Sequence, residues 1–202
     1  MPDPSFPEPR PPEPRPDVTD FLRTRRSVPP KLLSPPAPGR AAIEKLLTQA
    51  ARSPDHGKLE PWRFIVLEQG AMARLADLAG RRAHAAGLEP EAVAKARAQF
   101  DAGICAVVVV ASPKPSDKVP QIEQVLSAGA VCLALLNSAL AAGWGAGWLT
   151  GWAAHDRGFV ETGLGLAPQE FVAGIVHIAT APGPMADRPR PDMAGLTQWV
   201  AE

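Results

Sequence analysis

A long apolar segment in the second half of the chain does most to limit what this sequence can fold into. Residues 121 to 142 predict one helix that is apolar on nearly every side, and such a helix must be enclosed by a core or by a partner subunit. Its apolar run, residues 126 to 142, is interrupted by two serines, a glycine and an asparagine and is shorter than a membrane span usually requires. We therefore predict a buried central helix that is shared with a dimer interface.

The remaining pattern mixes strands and helices. Residues 104 to 111 form an almost wholly apolar, β-branched run, which is typical of a strand covered on both faces. Alternation predicts two more strands, at 62–68 and 171–180. Helices are predicted from about residue 17 or 19 to before Pro29, and at 40–52, 70–86, 89–100 and 156–162, with an extended arm at 181–202. Because no regular βαβ repeat is present, the pattern favours an α+β sandwich.

The first 17 residues differ from the rest in composition. They contain Pro-Glu-Pro-Arg-Pro twice in succession, at 7–11 and 12–16, a pattern that favours polyproline II and cannot pack a core. We predict a disordered, solvated tail at 1–17 and a single folded domain at 18–202. A ligand for a proline-binding module is the alternative interpretation of the tail.

Charge and cysteine content exclude several classes of protein. The 21 basic and 21 acidic residues balance, so no general electrostatic attraction to nucleic acid or to an acidic membrane is expected. Cys105 and Cys132 both lie in apolar runs, where a free thiol behaves as a small hydrophobe. Without a secretory signal pattern at the N-terminus, these features predict a cytoplasmic protein.

A cationic cluster, Arg25-Arg26-Ser27, falls at the end of the first predicted helix. Two guanidinium forks and a hydroxyl are the donors that bind a phosphate monoester. Arginine is also common at helix ends, where it complements the helix dipole. Arg188 and Arg190 in the C-terminal arm favour the phosphate interpretation.

A second cluster lies between the next helix and the first strand. Residues 52–58 contain Arg52 and His56, and the segment runs into Pro61-Trp62-Arg63-Phe64. Together the two clusters supply the donors that a flat, anionic cofactor would need.

Four glycines and three tryptophans are concentrated in residues 143 to 152. A dinucleotide-binding glycine motif should follow a strand and open a helix, whereas this segment follows a long helix. Two interpretations remain open: permissive backbone lying against a flat ring, or a helix cap and turn with tryptophans in the core.

The histidines have no spacing that indicates a metal site. A zinc site and a Gly-x-Ser-x-Gly nucleophile are therefore not expected. His177 falls in an alternating apolar strand and is predicted to be structural, and His84 is predicted to be solvated. The other two histidines are His56 and His155.

In their order and spacing, these segments resemble the nitroreductase family of FMN-dependent oxidoreductases, and in particular its small members. The match runs from about residue 18 to the C-terminus, and its motifs are Arg25-Arg26-Ser27, residues 51–58 with Pro61-Trp62-Arg63-Phe64, Ser127-Ala128-Gly129-Ala130, Gly143 to Gly151 and Arg188-Pro189-Arg190-Pro191. The resemblance implies an α/β sandwich of the α+β class, with an antiparallel-rich central sheet flanked by helices. It also implies an intertwined homodimer with a long central interface helix and two FMN sites, each formed by both subunits.

The resemblance also implies which residues hold FMN. Arg25, Arg26 and Ser27 would bind its phosphate with help from Arg188 and Arg190. Arg52 and His56 would reach the flavin from the other chain. The residues expected along the ring, with a backbone N–H near its N5 atom, are Trp148, Leu149, Thr150 and Gly151.

The activity that the resemblance implies is a ping-pong oxidoreductase. NADH or NADPH would reduce bound FMN, and a small electron-poor acceptor such as a nitroaromatic or quinone would then reoxidise it. One alternative is a flavin enzyme with a narrower task, which usually needs an added lid segment. The other is a flavin-binding store, sensor or interaction protein without turnover.

Three places depart from the family pattern, and one of them, the proline-rich N-terminal tail, lies outside the match altogether. Many members have a lysine or arginine two or three residues after the motif serine, where this chain has Pro29 and Pro30. Lys31 follows them, and Arg52 is the candidate replacement at the pyrimidine edge. The pair Leu149-Thr150 also replaces a more polar pair, so backbone rather than side-chain contacts are expected there.

Overall fold

The fold of residues 11–201, which the computed structural model describes, contains seven helices and four strands. They are α1 Pro16–Thr24, α2 Arg40–Ala50, β1 Trp62–Leu67, α3 Gln69–Ala85, α4 Pro90–Asp101, β2 Ala106–Ala111, α5 Gln121–Ala141, β3 Gly145–Leu149, α6 Arg157–Leu164, β4 Phe171–Ala179 and α7 Met193–Leu196. Single turns of 3₁₀ helix lie at Pro30–Leu32, His56–Lys58 and Trp152–His155.

The four strands form one antiparallel sheet in the order β1-β2-β4-β3. All six residues of β2 are buried. One face of the sheet packs against α3, α4 and α6, and the other packs against α2 and α5. The predicted α+β class, with an antiparallel sheet flanked by helices, is therefore confirmed.

Helix α5 lies against the sheet with one side and is open on the other. Val131 and Leu135 are fully buried, whereas Ile122, Leu126 and Leu133 are 62%, 65% and 46% exposed. Among the described residues it is the one helix long and apolar enough to cross a membrane, a test that core helices of soluble proteins also pass. The predicted enclosure is thus confirmed for one face, and the dimer interface on the other face stays a prediction.

Strand β3 was missed by the sequence interpretation, which allowed a cap and turn or a ring-facing loop from residue 143. Gly143 has φ +84° and follows the end of α5, as a cap requires. From Gly145 the chain pairs with β4. Glycine is unfavourable in strands, but a Cβ at Gly147 would collide with the Val28 carbonyl oxygen. Close backbone packing therefore overrides strand propensity here.

The two ends of the described chain differ slightly from expectation. Residues 1–10 of the predicted tail lie outside the described residues, residues 11–15 are exposed without helix or strand, and α1 begins at Pro16. The C-terminal arm is mostly extended but contains the short helix α7. Cys105 and Cys132 are buried free thiols, as predicted, and burial raises their pKa values to about 11 and about 12.

His177 lies in β4 and is buried as predicted, with 1% of its surface exposed. Neither ring nitrogen has a hydrogen-bond partner among the described residues. Burial lowers the pKa of His177 to about 4, because a charged imidazolium would lose its hydration. The folded protein therefore holds this side chain neutral, while the unfolded chain protonates it near its ordinary pKa of about 6.5.

We expect acid to destabilise the protein through His177. A depressed histidine pKa contributes stability that is complete above the unfolded pKa and is lost as pH falls toward the folded pKa. Between about pH 7.5 and about pH 5 the free energy of unfolding should fall by about 2 kcal/mol from this group alone. Urea unfolding of the wild type and of His177→Leu at both pH values measures the difference, and equal pH dependence in the two proteins would contradict it.

Candidate functional site

A cationic pocket of about 540 Å³ lies where the end of α1 meets the C-terminal arm. It is lined by Arg25, Arg26, Ser27, Arg188, Pro189, Arg190 and Pro191. The structure thus brings together all five residues that the sequence predicted for a phosphate.

Two hydrogen bonds from arginine side chains to backbone carbonyls fasten the arm to the end of α1. The Nε of Arg26 donates to the Ala186 carbonyl at 3.1 Å, and Arg190 donates to the Arg23 carbonyl at 3.4 Å. Within the pocket, Arg25 donates to Ser27 Oγ at 3.0 Å. The pocket is therefore built by residues about 160 positions apart, since Arg26 and Ala186 are separated by 160 positions.

The pocket concentrates positive charge that nothing in the described chain neutralises fully. Arg190 pairs with Asp187 at 2.7 Å, whereas Arg25, Arg26 and Arg188 form no ion pair within residues 11–201. The pKa of Arg25 is lowered by burial and then by the neighbouring Arg26 and Arg190. Its Nε is buried and has no hydrogen-bond partner in that part of the chain. A multivalent oxyanion would relieve both the repulsion and the missing hydrogen bond.

A larger cavity of about 920 Å³ opens on the neighbouring side of the same segment. Its walls come from the turn after α1, from one side of α4 and from the end of β3 with the residues that follow. The residues that line it include Pro29, Pro30, Lys31, Ala92, Lys95, Ala96, Gln99, Trp148, Leu149, Thr150, Gly151 and Trp152. The predicted ring-facing stretch, 148 to 151, thus lies in this cavity. Trp144, in contrast, packs against the core on the α5 side of the sheet.

A short segment connects the pocket to the cavity. Ser27 lines the pocket and Pro29 lines the cavity, so the two spaces are separated by at most about 7 Å of chain. Val28 N–H donates to the Ala146 carbonyl at 2.8 Å, which holds the segment along β3. Gly147 permits this approach because it has no Cβ. One ligand with an anionic end and a flat apolar body could therefore occupy both spaces.

The peptide between Thr150 and Gly151 is anchored on one side only. Gln99 Nε2 donates to the Thr150 carbonyl at 3.1 Å. The C=O and N–H of a trans peptide point in opposite directions, so the Gly151 N–H is directed away from Gln99. Within residues 11–201 that N–H donates to no acceptor. Gly151 has φ +70°, a backbone angle that favours glycine, and a Cβ there would also force the Gln99 amide to move.

Arg52 and His56 lie elsewhere in the described chain and line neither space. Both are exposed, and His56 Nδ1 lies 2.7 Å from Glu123 Oε2 at the start of α5. Ser127 Oγ donates to the Pro54 carbonyl at 2.7 Å, which holds the loop of residues 51–61 against α5. One chain therefore does not unite these residues with Arg25.

The segment after this loop is committed to structural contacts. Trp62 Nε1 donates to Ser127 Oγ at 3.2 Å. Arg63 makes two hydrogen bonds of 2.7 Å to Glu170, and this pairing lowers the pKa of that carboxyl to about 2. The Trp62-Arg63 part of the second motif thus positions the loop and the sheet edge.

Sequence reasoning missed Lys95 and Gln99 as cavity residues. Both lie on α4, a helix whose polar residues look like an ordinary solvated face. Their spacing of four places them on one side of the helix. Only the packing of α4 over residues 148–152 shows that this side faces a cavity.

Comparison with known proteins identifies the fold and the family. The model of the nitroreductase family matches residues 22–180. Over 165 residues the chain is 33% identical to "Putative NAD(P)H nitroreductase YdjA" of Escherichia coli strain K12, covering 81% of this chain and 88% of that protein. A "Putative NAD(P)H nitroreductase" of Haemophilus influenzae is 34% identical over the same length and shares.

Solved structures agree with the sequence relatives. A nitroreductase-like family protein from Bacillus cereus superposes with a TM-score of 0.75 at 20% identity, covering 92% of this chain and 96% of that one. An FMN-dependent nitroreductase from Clostridium difficile gives a TM-score of 0.61 at 17% identity, covering 86% and 92%. With its sheet, its two helical layers and a family match across most of its length, this chain belongs to the nitroreductase family.

Proposed function

We propose that this chain is an FMN-dependent oxidoreductase that carries electrons from NADH or NADPH to electron-poor acceptors, such as nitroaromatics or quinones, in a ping-pong cycle. The observation that carries the proposal is the cationic pocket beside a large apolar cavity, joined by three residues of chain. With a nitroarene, one turnover would consume one NAD(P)H and one proton and yield the nitroso compound, NAD(P)⁺ and water. Relatives named as NAD(P)H nitroreductases and an FMN-dependent nitroreductase of the same fold support this assignment.

The residues present fit FMN at both of its ends. The phosphate would be held by Arg25, Arg26 and Ser27 together with Arg188 and Arg190. The Nε of Arg25, which has no hydrogen-bond partner in the described chain, could donate to a phosphate oxygen. Trp148 to Gly151 and the two prolines would lie along the flavin ring. When bound, FMN supplies the redox chemistry, since its ring accepts a hydride and passes on electrons.

The protein's own groups would bind the flavin ring and fix its orientation. The free N–H of Gly151 can donate to the ring near N5, and Gln99 holds that peptide in place through the Thr150 carbonyl. Lys31 lines the cavity one residue after the two prolines, so it can supply the cation that other members place at the position of Pro29 or Pro30. Positive charge at this place stabilises negative charge that develops on the ring. With FMN in place, the apolar walls of the cavity would limit the access of water to the ring.

We further propose that the active form is a cytoplasmic homodimer in which each site takes residues from both chains. The exposed stripe Ile122, Leu126 and Leu133 on α5 is an apolar face that a second copy would cover. Arg52 and His56 lie on the loop that α5 holds next to this stripe. A second copy packed on α5 would therefore bring them toward a site of the other chain. We keep the domain division expected from the sequence, with a proline-rich tail at 1–17 and one folded domain at 18–202.

The test of this function is an anaerobic titration. Purified protein loaded with FMN should be yellow, should bleach with NADH or NADPH, and should recolour when a nitroarene or quinone is added. Failure to bind FMN would contradict the proposed function. FMN that binds but is reduced by neither nicotinamide would favour the alternative of a flavin-binding store or sensor.

A further inference from the structure

The cavity beside the phosphate pocket carries a charge pattern that the cofactor alone does not use. Among the described residues that line it, two are charged, Lys31 and Lys95, and both are cations. Neither forms an ion pair within residues 11–201, and the cavity lining contains no carboxylate. A cavity with one sign of charge and apolar walls selects ligands of the opposite sign.

The two lysines lie on different walls. Lys31 is in the turn at Pro30–Leu32, which continues directly from the phosphate pocket, and so it belongs with the cofactor. Lys95 is on α4, whose cavity side also presents Ala92, Ala96 and Gln99. These positions are spaced three and four apart and share one side of the helix. The alanines leave space between α4 and Trp148, and Lys95 is the charged group beside that space.

Gln99 fixes where Lys95 lies relative to the proposed reaction centre. Gln99 contacts the Thr150 carbonyl, next to the free Gly151 N–H. Lys95 precedes Gln99 by one turn, so the two Cβ atoms are about 5–6 Å apart. Both side chains line the same cavity as Trp148 and Gly151. An aromatic ring that lies between α4 and residues 148–151 can therefore present an anionic substituent to Lys95.

We infer that Lys95 recognises the carboxylate of aromatic acid acceptors, so that the site prefers planar acceptors with a negative group over neutral ones. This inference rests on the proposed function. The competing ligand for Lys95 is the pyrophosphate of the nicotinamide nucleotide. That group is separated from the nicotinamide ring by a ribose, which places it farther away than one helical turn. A compact aromatic acid carries its anionic group on the ring itself, so it suits a cation that lines the same cavity as residues 148–151.

The test measures binding first, on the FMN-loaded full-length protein. Isothermal calorimetry should show benzoate binding about tenfold tighter than benzamide, because the pair differ in a charge-assisted hydrogen bond. In Lys95→Gln the benzoate advantage should fall to near unity while benzamide binding stays as in the wild type. Lys45→Gln removes the same charge from an exposed position on α2, outside the cavity, and should keep the wild-type ratio.

Turnover provides a second readout. The ratio of kcat/KM for 4-nitrobenzoate to that for 4-nitrobenzamide should fall by a similar factor in Lys95→Gln only. The inference is overturned if the ratio is unchanged, or if Lys95→Gln instead slows reduction by NADH or NADPH with benzoate binding intact. These outcomes leave FMN binding and reduction in place, so they differ from failure of the proposed function, in which FMN is not bound or not reduced.

Discussion

Replacing Arg25 with methionine should weaken FMN binding by about a hundredfold, since a buried charged hydrogen bond to the ligand is lost. The same change should leave the FMN-free protein at least as stable as the wild type. Arg25 is partly buried against Arg26 and Arg190, its Nε has no partner in the described chain, and both burial and its neighbours lower its pKa. In the FMN-free protein these features lower the free energy of unfolding, and the methionine variant lacks them. The bond that it gives up is the one to Ser27 Oγ.

Urea unfolding of wild type and Arg25→Met, each with and without FMN, separates the two effects. The stabilisation by saturating ligand should shrink in the variant, because it depends on the ratio of ligand concentration to Kd. Arg40→Met is the matched control, since Arg40 is an exposed arginine on α2 that pairs with Glu44 and lines neither the pocket nor the cavity. A variant that loses stability equally with and without FMN would show that Arg25 is structural.

This opposition between binding and stability extends to the backbone of the site. Gly147 and Gly151 occupy positions where a Cβ would collide with Val28 and with Gln99. Glycine costs conformational entropy on folding, yet here it lets the pocket segment lie against β3 and leaves the Gly151 N–H available. The binding site is thus built from residues that local stability alone would not select.

How much of the fold and of the candidate site the sequence predicts depends on whether a residue pattern reflects burial directly. Helix α5 and strand β2 were predictable because their apolar patterns reflect burial directly. The sequence allowed Arg25, Arg26, Ser27, Arg188 and Arg190 to be grouped as candidates for one anion, because guanidinium and hydroxyl donors suit a phosphate. That they bind it stays a prediction. Their meeting in one pocket depends on the arm folding back to α1, which no local pattern shows.

The missed features share a physical cause. Strand β3 contains two glycines and is set by pairing with β4 and by close packing of the 28–34 segment, not by its own propensity. Lys95 and Gln99 are ordinary polar residues on a surface helix, and only tertiary packing turns that side of α4 toward a cavity. In both cases a contact distant in sequence determines the role of residues whose local pattern is neutral.

Mixing two inactive variants should restore FMN binding if each site is shared between subunits. In the proposed homodimer, Arg25 of one chain and Arg52 of the other serve the same FMN. A heterodimer of Arg25→Ala and Arg52→Ala chains would then concentrate both substitutions in one site and leave the other site with its natural residues. Each variant homodimer should fill neither site at FMN concentrations near the wild-type Kd.

The expected stoichiometry is about one tightly bound FMN per heterodimer, measured by equilibrium dialysis on heterodimers purified through two different affinity tags. The placement of Arg52 motivates this result, because it is exposed on the loop that Ser127 holds against α5 and lines neither the pocket nor the cavity of its own chain. If Arg25 and Arg52 instead served one site within the same chain, every site of the heterodimer would carry one substitution and none would bind FMN normally. A heterodimer without a tight site would therefore refute the shared site, whereas restored binding together with restored reduction by NADH or NADPH would require it.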